Sequence, residues 1–171
     1  MVEIIDYVPY GIISSGFFVT IVTGYPLGAI FSSSLLLSGL FNYMLKEIFA
    51  YFFHGDDLIM RPKGNKTTNC DELSVIETND LGMPSGHAQI MAFSAIFWTL
   101  YILKYSEIPY DQKVLFIMII FFLTLIVLFQ RVETNCHSVL QVAIGCLVGF
   151  LSGWLVFVLL DKNYSYLFTH T

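Results

Sequence analysis

Apolar residues do not alternate along this chain; they come in long blocks separated by short polar segments. Val114 to Phe129 reads V-L-F-I-M-I-I-F-F-L-T-L-I-V-L-F without a charge, and Val139 to Leu160 is broken only by Gln141, Ser152 and small residues. Such blocks match the ~20 residues a helix needs to cross a hydrocarbon core of about 30 Å. Backbone groups in lipid must be hydrogen-bonded internally, and no period-two pattern suggests barrel strands, so the blocks predict helices. Five spans are expected: about Tyr10 to Thr23, Leu27 to Phe53, His87 to Lys104, Gln112 to Arg131 and His137 to Leu160. The first is short, and Gly24-Tyr25-Pro26 breaks the chain before the second. The second holds Lys46 and Glu47 near its end, so its last turns are expected to leave the hydrocarbon or to line a polar cavity. The expected fold is all-α, a multi-pass transmembrane bundle of about five spans forming a single domain over residues 1–171, with no repeat and no low-complexity tract.

Composition agrees with a membrane protein. Hydrophobic residues make up 56% and charged residues 12%, against roughly 45–50% and 25% in soluble domains. No nucleic-acid partner is expected, and the net charge is −5. The start of the chain lacks a basic stretch and carries Glu3 and Asp6, which does not read as a cleavable leader. Five spans place the N-terminus, the loop from His54 to Met83 and the loop from Val132 to Cys136 on one side. With Arg61 and Arg131 set aside as functional candidates, Lys63 and Lys66 fall on that side and Lys104, Lys113 and Lys162 on the other, a slight bias that favours the second side as cytoplasmic. The first side is then lumenal or extracellular, where Asn65-Lys66-Thr67 is a usable glycosylation sequon in a eukaryotic host. Cys70 and Cys136 share that side, but two cysteines without geometry do not establish a bridge; Cys146 lies inside the last span.

Two polar-edged segments carry candidate chemistry. Gly82 to Gln89 reads G-M-P-S-G-H-A-Q, so Ser85 is a candidate N-cap for the helix that His87 opens. A helix N-terminus offers free N–H groups to an anion such as phosphate. A helix start with its histidine at the lipid headgroups reads the same way. Arg131 to Gln141 reads R-V-E-T-N-C-H-S-V-L-Q. His137 and Gln141 are four apart and share a helix face, so Gln141 is expected to accept a hydrogen bond from one ring nitrogen and leave the other free to attack. A glutamine bonded to a neighbouring helix, or an arginine snorkelling to the headgroups, accounts for these residues equally. Arg61-Pro62 supplies a second guanidinium that matches phosphate oxygens, and Lys46 needs an anionic partner that Glu47, about 100° around the helix, does not provide. Asp56, Asp57, Asp71, Glu72, Glu77, Asp80 and Glu133 read as a solvated acidic face rather than a metal site.

Together, Lys46, Arg61-Pro62, Pro84-Ser85-Gly86-His87 and Arg131 with His137 resemble the three-part signature of the phosphatidic acid phosphatase type 2 superfamily, K-x6-R-P, P-S-G-H and S-R-x5-H-x3-D. There are three departures: fourteen residues separate Lys46 from Arg61, Gln130 stands where the signature has serine, and Gln141 stands where it has aspartate. Glutamine at that last position, and the Gly82-Met83-Pro84-Ser85 run, are similar to the dolichyl diphosphatase branch. The resemblance implies a membrane lipid phosphatase that needs no cofactor and no metal and acts on a lipid phosphate or diphosphate, a polyprenyl or dolichyl diphosphate first. In a eukaryote it implies the endoplasmic reticulum membrane, with the site on the lumenal side. It further implies that His137 is the nucleophile and His87 the general acid and base, and that Lys46, Arg61, Ser85, Gly86 and Arg131 bind phosphate. With Gln141 only orienting His137, Gln141→Asp is expected to retain or raise turnover. A phosphatase for phosphatidate or another phospholipid monoester, and an inactive lipid-phosphate-binding protein, are the alternatives.

Overall fold

Each apolar block folds as one helix: α1 (Val8–Thr23), α2 (Leu27–Phe52), α3 (Gly86–Tyr105), α4 (Tyr110–Glu133) and α5 (Val139–Asn163), followed by a single 3-10 turn at Ser165–Leu167. The computed structural model describes residues 5–53, 57–63, 70 and 81–168. Asp56, Lys66, Asp71, Glu72, Glu77, Asp80 and the Asn65 sequon lie outside the described residues. The ends of the helices follow local chemistry. Gly24 closes α1 in the left-handed region at φ 71°, where its N–H reaches Thr20 O and no Cβ resists. Pro109 precedes α4, and Ser85 and Ser138 cap α3 and α5 with their side chains.

The helices α2 to α5 are long and apolar enough to cross a membrane. At 16 residues α1 is shorter, so the five expected spans become four helices of spanning length and one short apolar helix. On α4, Phe122, Leu125 and Phe129 are 64%, 62% and 69% exposed. An apolar surface of that kind is a hydrocarbon-facing surface.

The central helix is α3. Gly145, Gly149 and Gly153, one turn apart on α5, lie under the carbonyls of Ser85, Gln89 and Phe93, so the two backbones run almost in contact. On its other side α3 meets α2 through a polar seam. Asn42 Nδ2 donates to Gln89 Oε1 at 2.8 Å, and Gln89 Nε2 donates to Ser38 O at 2.7 Å and to Ser38 Oγ at 2.8 Å. Farther along α3 an aromatic cluster of Phe31, Phe93, Phe97, Phe157 and Phe168 fills the core. At that end of the bundle Lys104 pairs with Asp161 at 2.6 Å, tying α3 to α5. At the opposite end Cys70 and Cys136 are bridged by a disulfide with Cα atoms 5.3 Å apart, while Cys146 is a half-buried free thiol.

Candidate functional site

The segment from Leu81 to Ser85 leads into α3, and one side chain or backbone group after another fastens onto it. Residues 57–63 run alongside: Met60 bridges Leu81, and the N–H groups of Gly82 and Met83 donate to Ile59 O at 2.7 and 3.3 Å. Lys46 Nζ, from α2, donates to Leu81 O at 3.0 Å. His137 Nδ1 is 2.9 Å from Gly82 O, Asn42 Nδ2 is 3.4 Å from Pro84 O, and Ser85 N–H donates to Gln141 O at 3.1 Å. Ser85 is the cap of α3, accepting from Ala88 N–H at 3.5 Å. Lys46, Ser85, Gly86 and His137 are thus gathered around one turn of chain.

Arg61 joins this group in spite of its distance from Lys46 in sequence. Its Nη1 donates at 3.2 Å to the carbonyl of Cys136, the neighbour of His137, and the backbone N–H of His137 donates to Arg131 O at 3.1 Å. Between the two, α2 continues to Phe52, and residues 57–59 turn before Met60 bridges Leu81. Lys46 itself is 5% exposed, so it lines the interior while Glu47 faces outward.

A carbonyl oxygen only accepts, so the ring nitrogen facing it carries the hydrogen. His137 is therefore held with Nδ1–H on Gly82 O and its Nε2 lone pair free. His87 is held the other way, with Nε2–H donating to Asp6 O at 3.2 Å. His137 is held well below the ordinary histidine value of 6.5, by burial first and then by the positive charges of Arg61 and Lys46, with the Gly82 hydrogen bond pulling the other way. It is a neutral imidazole with an available nitrogen, which is the form a nucleophile needs.

Gln141 differs from expectation. Its side chain does not bond the His137 ring, since Gly82 O holds that nitrogen. Gln141 Oε1 instead accepts from Ser138 N–H at 3.1 Å while Ser138 Oγ accepts from Gln141 N–H at 3.3 Å, a reciprocal capping box. Its Nε2 donates to Leu58 O at 3.0 Å and Met60 O at 2.8 Å, fastening the 57–63 segment to the start of α5. A Cβ at Gly82 would lie 2.5 Å from Gln141 Oε1, so glycine is what lets the chain pass.

Arg131 is fully buried at the end of α4. Its Nη2 pairs with Asp6 Oδ1, its Nε donates to Gln130 Oε1 at 2.7 Å, and Gln130 Nε2 donates to Asp6 Oδ1 at 2.6 Å. Asp6 and Asn42 are site neighbours that the motifs did not single out, while Gln130, at the serine position of the signature, touches both Asp6 and Arg131. Asn42 lies one turn before Lys46, a spacing that would have found it; Asp6 carries no such signal. Among the described residues no three of His, Cys, Asp and Glu converge to hold a metal ion.

Residues 27–165 match the PAP2 superfamily. Dolichyldiphosphatase 1 of Dictyostelium discoideum is 31% identical over 138 residues, covering 78% of this chain and 53% of that protein. The chain therefore spans about half the length of that relative. No solved structure matches. The family match runs from the first residue of α2 to the turn after α5 and takes in every motif residue gathered around Leu81 to Ser85; the chain belongs to the PAP2 superfamily.

Proposed function

We propose that this protein is a membrane lipid phosphatase that removes the terminal phosphate of a polyprenyl diphosphate of the dolichyl type. The observation that carries this reading is the meeting, at one end of an apolar bundle, of two imidazoles with Lys46 and Arg61, with Arg131 tied to His87 through Asp6. His137 Nε2 attacks the terminal phosphorus, an N–P bond forms, and the P–O bond to the lipid monophosphate breaks. His87 supplies the proton to the leaving oxygen and then takes one from the water that splits the N–P bond, releasing orthophosphate and the neutral imidazole. Lys46, Arg61, Arg131, the Ser85 hydroxyl and the Gly86 N–H at the start of α3 balance the charge on the phosphoryl oxygens. No metal enters these steps.

Two features support a long single-chain lipid. An apolar cavity of about 510 Å³ lies among α1, α2, α3 and α4, beginning at Met91, one turn beyond His87, and continuing past Trp98 to Tyr101. Its hydroxyls at Ser15, Ser94 and Thr124 donate to carbonyls of their own helices, and the lining is mostly hydrocarbon. Dolichyldiphosphatase 1, by its name, acts on such a lipid, and the disulfide beside His137 forms in an oxidising compartment, which supports a lumenal site in the endoplasmic reticulum. The test is phosphate release by the purified protein in detergent with a chelator present. Release from dolichyl diphosphate well above that from phosphatidate is expected; the reverse preference transfers the assignment to a phospholipid phosphatase, and no release from either removes the enzyme.

A further inference from the structure

Asp6 is drawn into the site from the far N-terminal end of the chain. Its side chain and that of Arg131 are both 0% exposed, yet the grip between them uses one carboxylate oxygen. Asp6 Oδ2 and Arg131 Nη1 have no hydrogen-bond partner among the described residues. A forked pair would engage both oxygens and both amino groups. Leaving buried polar atoms unpaired is costly, and a phosphoryl group, with three oxygens, satisfies Nη1 while contesting Nη2. Gln130 completes the arrangement, with its amide touching both Asp6 and Arg131. It stands where the family signature has serine, so this chain has its own way of holding the guanidinium.

We propose that Asp6 is an internal counter-anion of the phosphate site, a residue that competes with the phosphoryl group for Arg131 and so sets how tightly phosphate is held. The proposal rests on the reading of Arg131 as a phosphate ligand. Three cations around a dianion would hold the orthophosphate product and slow its departure. A carboxylate already paired with one of them weakens the product complex. The bulk of the pair stays in place; what changes hands is the Nη2 hydrogen bond.

The test is thermal unfolding of the full chain in detergent, titrated with inorganic phosphate, for wild type, Asp6→Asn and Arg131→Gln. Asp6→Asn keeps the shape and removes the charge. It should reach half-maximal stabilisation at a phosphate concentration at least about tenfold lower than wild type, the equivalent of one charge-assisted hydrogen bond. Arg131→Gln should show no phosphate response. Damage to a merely structural residue moves affinity the other way, so equal or weaker binding by Asp6→Asn overturns the proposal while a lost response in Arg131→Gln leaves the phosphate site standing. A response that survives Arg131→Gln overturns it too. Absence of any response in both wild type and Asp6→Asn removes the phosphate site itself and the proposal with it. Should Asp6→Asn not fold without an anion, it is prepared in phosphate beside Asp6→Ser; failure of both to fold there marks the pair as structural and overturns the proposal.

Discussion

His137 Nδ1 sits 2.9 Å from the carbonyl oxygen of Gly82, and that contact fixes which nitrogen of the ring is free. Burial and the neighbouring cations hold His137 below 6.5, so it stays neutral through the neutral pH range. In the proposed mechanism, protonation would remove the nucleophile. The acid limb of kcat/KM is therefore expected below 6.5, and Arg61→Gln should move it upward by removing a positive charge. The same shift makes the unfolded chain bind more protons than the folded one just below 6.5, so folding stability should decline as pH falls through that window. A pH–rate profile with its acid limb at or above 6.5 contradicts this.

Gln141→Asp is expected to unsettle the fold rather than improve the enzyme. The substitution deletes the two N–H donors that serve Leu58 O and Met60 O and brings a carboxylate toward those carbonyls. A loss of about 3 kcal/mol is the scale for such buried, charged mismatches. Thermal unfolding in detergent measures it; unchanged stability with higher turnover would restore the role that the spacing from His137 suggests.

Gly149→Ala should be destabilising although alanine favours helices. The new Cβ meets the carbonyl of Gln89 and forces α5 away from α3, at a cost of about 1–3 kcal/mol. Gly39 on α2 has nothing within 4 Å of a built Cβ, so Gly39→Ala should be neutral or stabilising. Comparing the two unfolding temperatures checks the packing directly.

Cys136→Ser should lower stability by about 2–4 kcal/mol and reduce turnover, since Cys136 anchors both the bridge to Cys70 and the carbonyl held by Arg61. Cys146→Ser should leave both unchanged. Activity insensitive to Cys136→Ser and to reductant would separate the bridge from the site.

The helices were legible because lipid demands long apolar runs, and the start of α3 was legible because Pro84 and Ser85 announce a cap. The Ser138-Val139-Leu140-Gln141 run carries the capping-box pattern as well, and that local pairing prevails over a bond from Gln141 to the His137 ring. In spite of the lengthened Lys46 to Arg61 spacing, both side chains are drawn toward His137 by hydrogen bonds to backbone carbonyls, at Leu81 and Cys136, that the motif does not name. Asp6 was not legible: its partners are Arg131 and Gln130, 125 and 124 residues away, and only the folded bundle brings them together.

In the proposed mechanism His137 accepts the phosphoryl group. Dolichyl diphosphate labelled in its terminal phosphate, mixed with the enzyme and quenched rapidly in alkali, should leave label on the protein that is stable to base, lost in acid and absent from His137→Ala, which should also release no phosphate. Label of the same kind and wild-type phosphate release from His137→Ala would show that His137 is not the nucleophile.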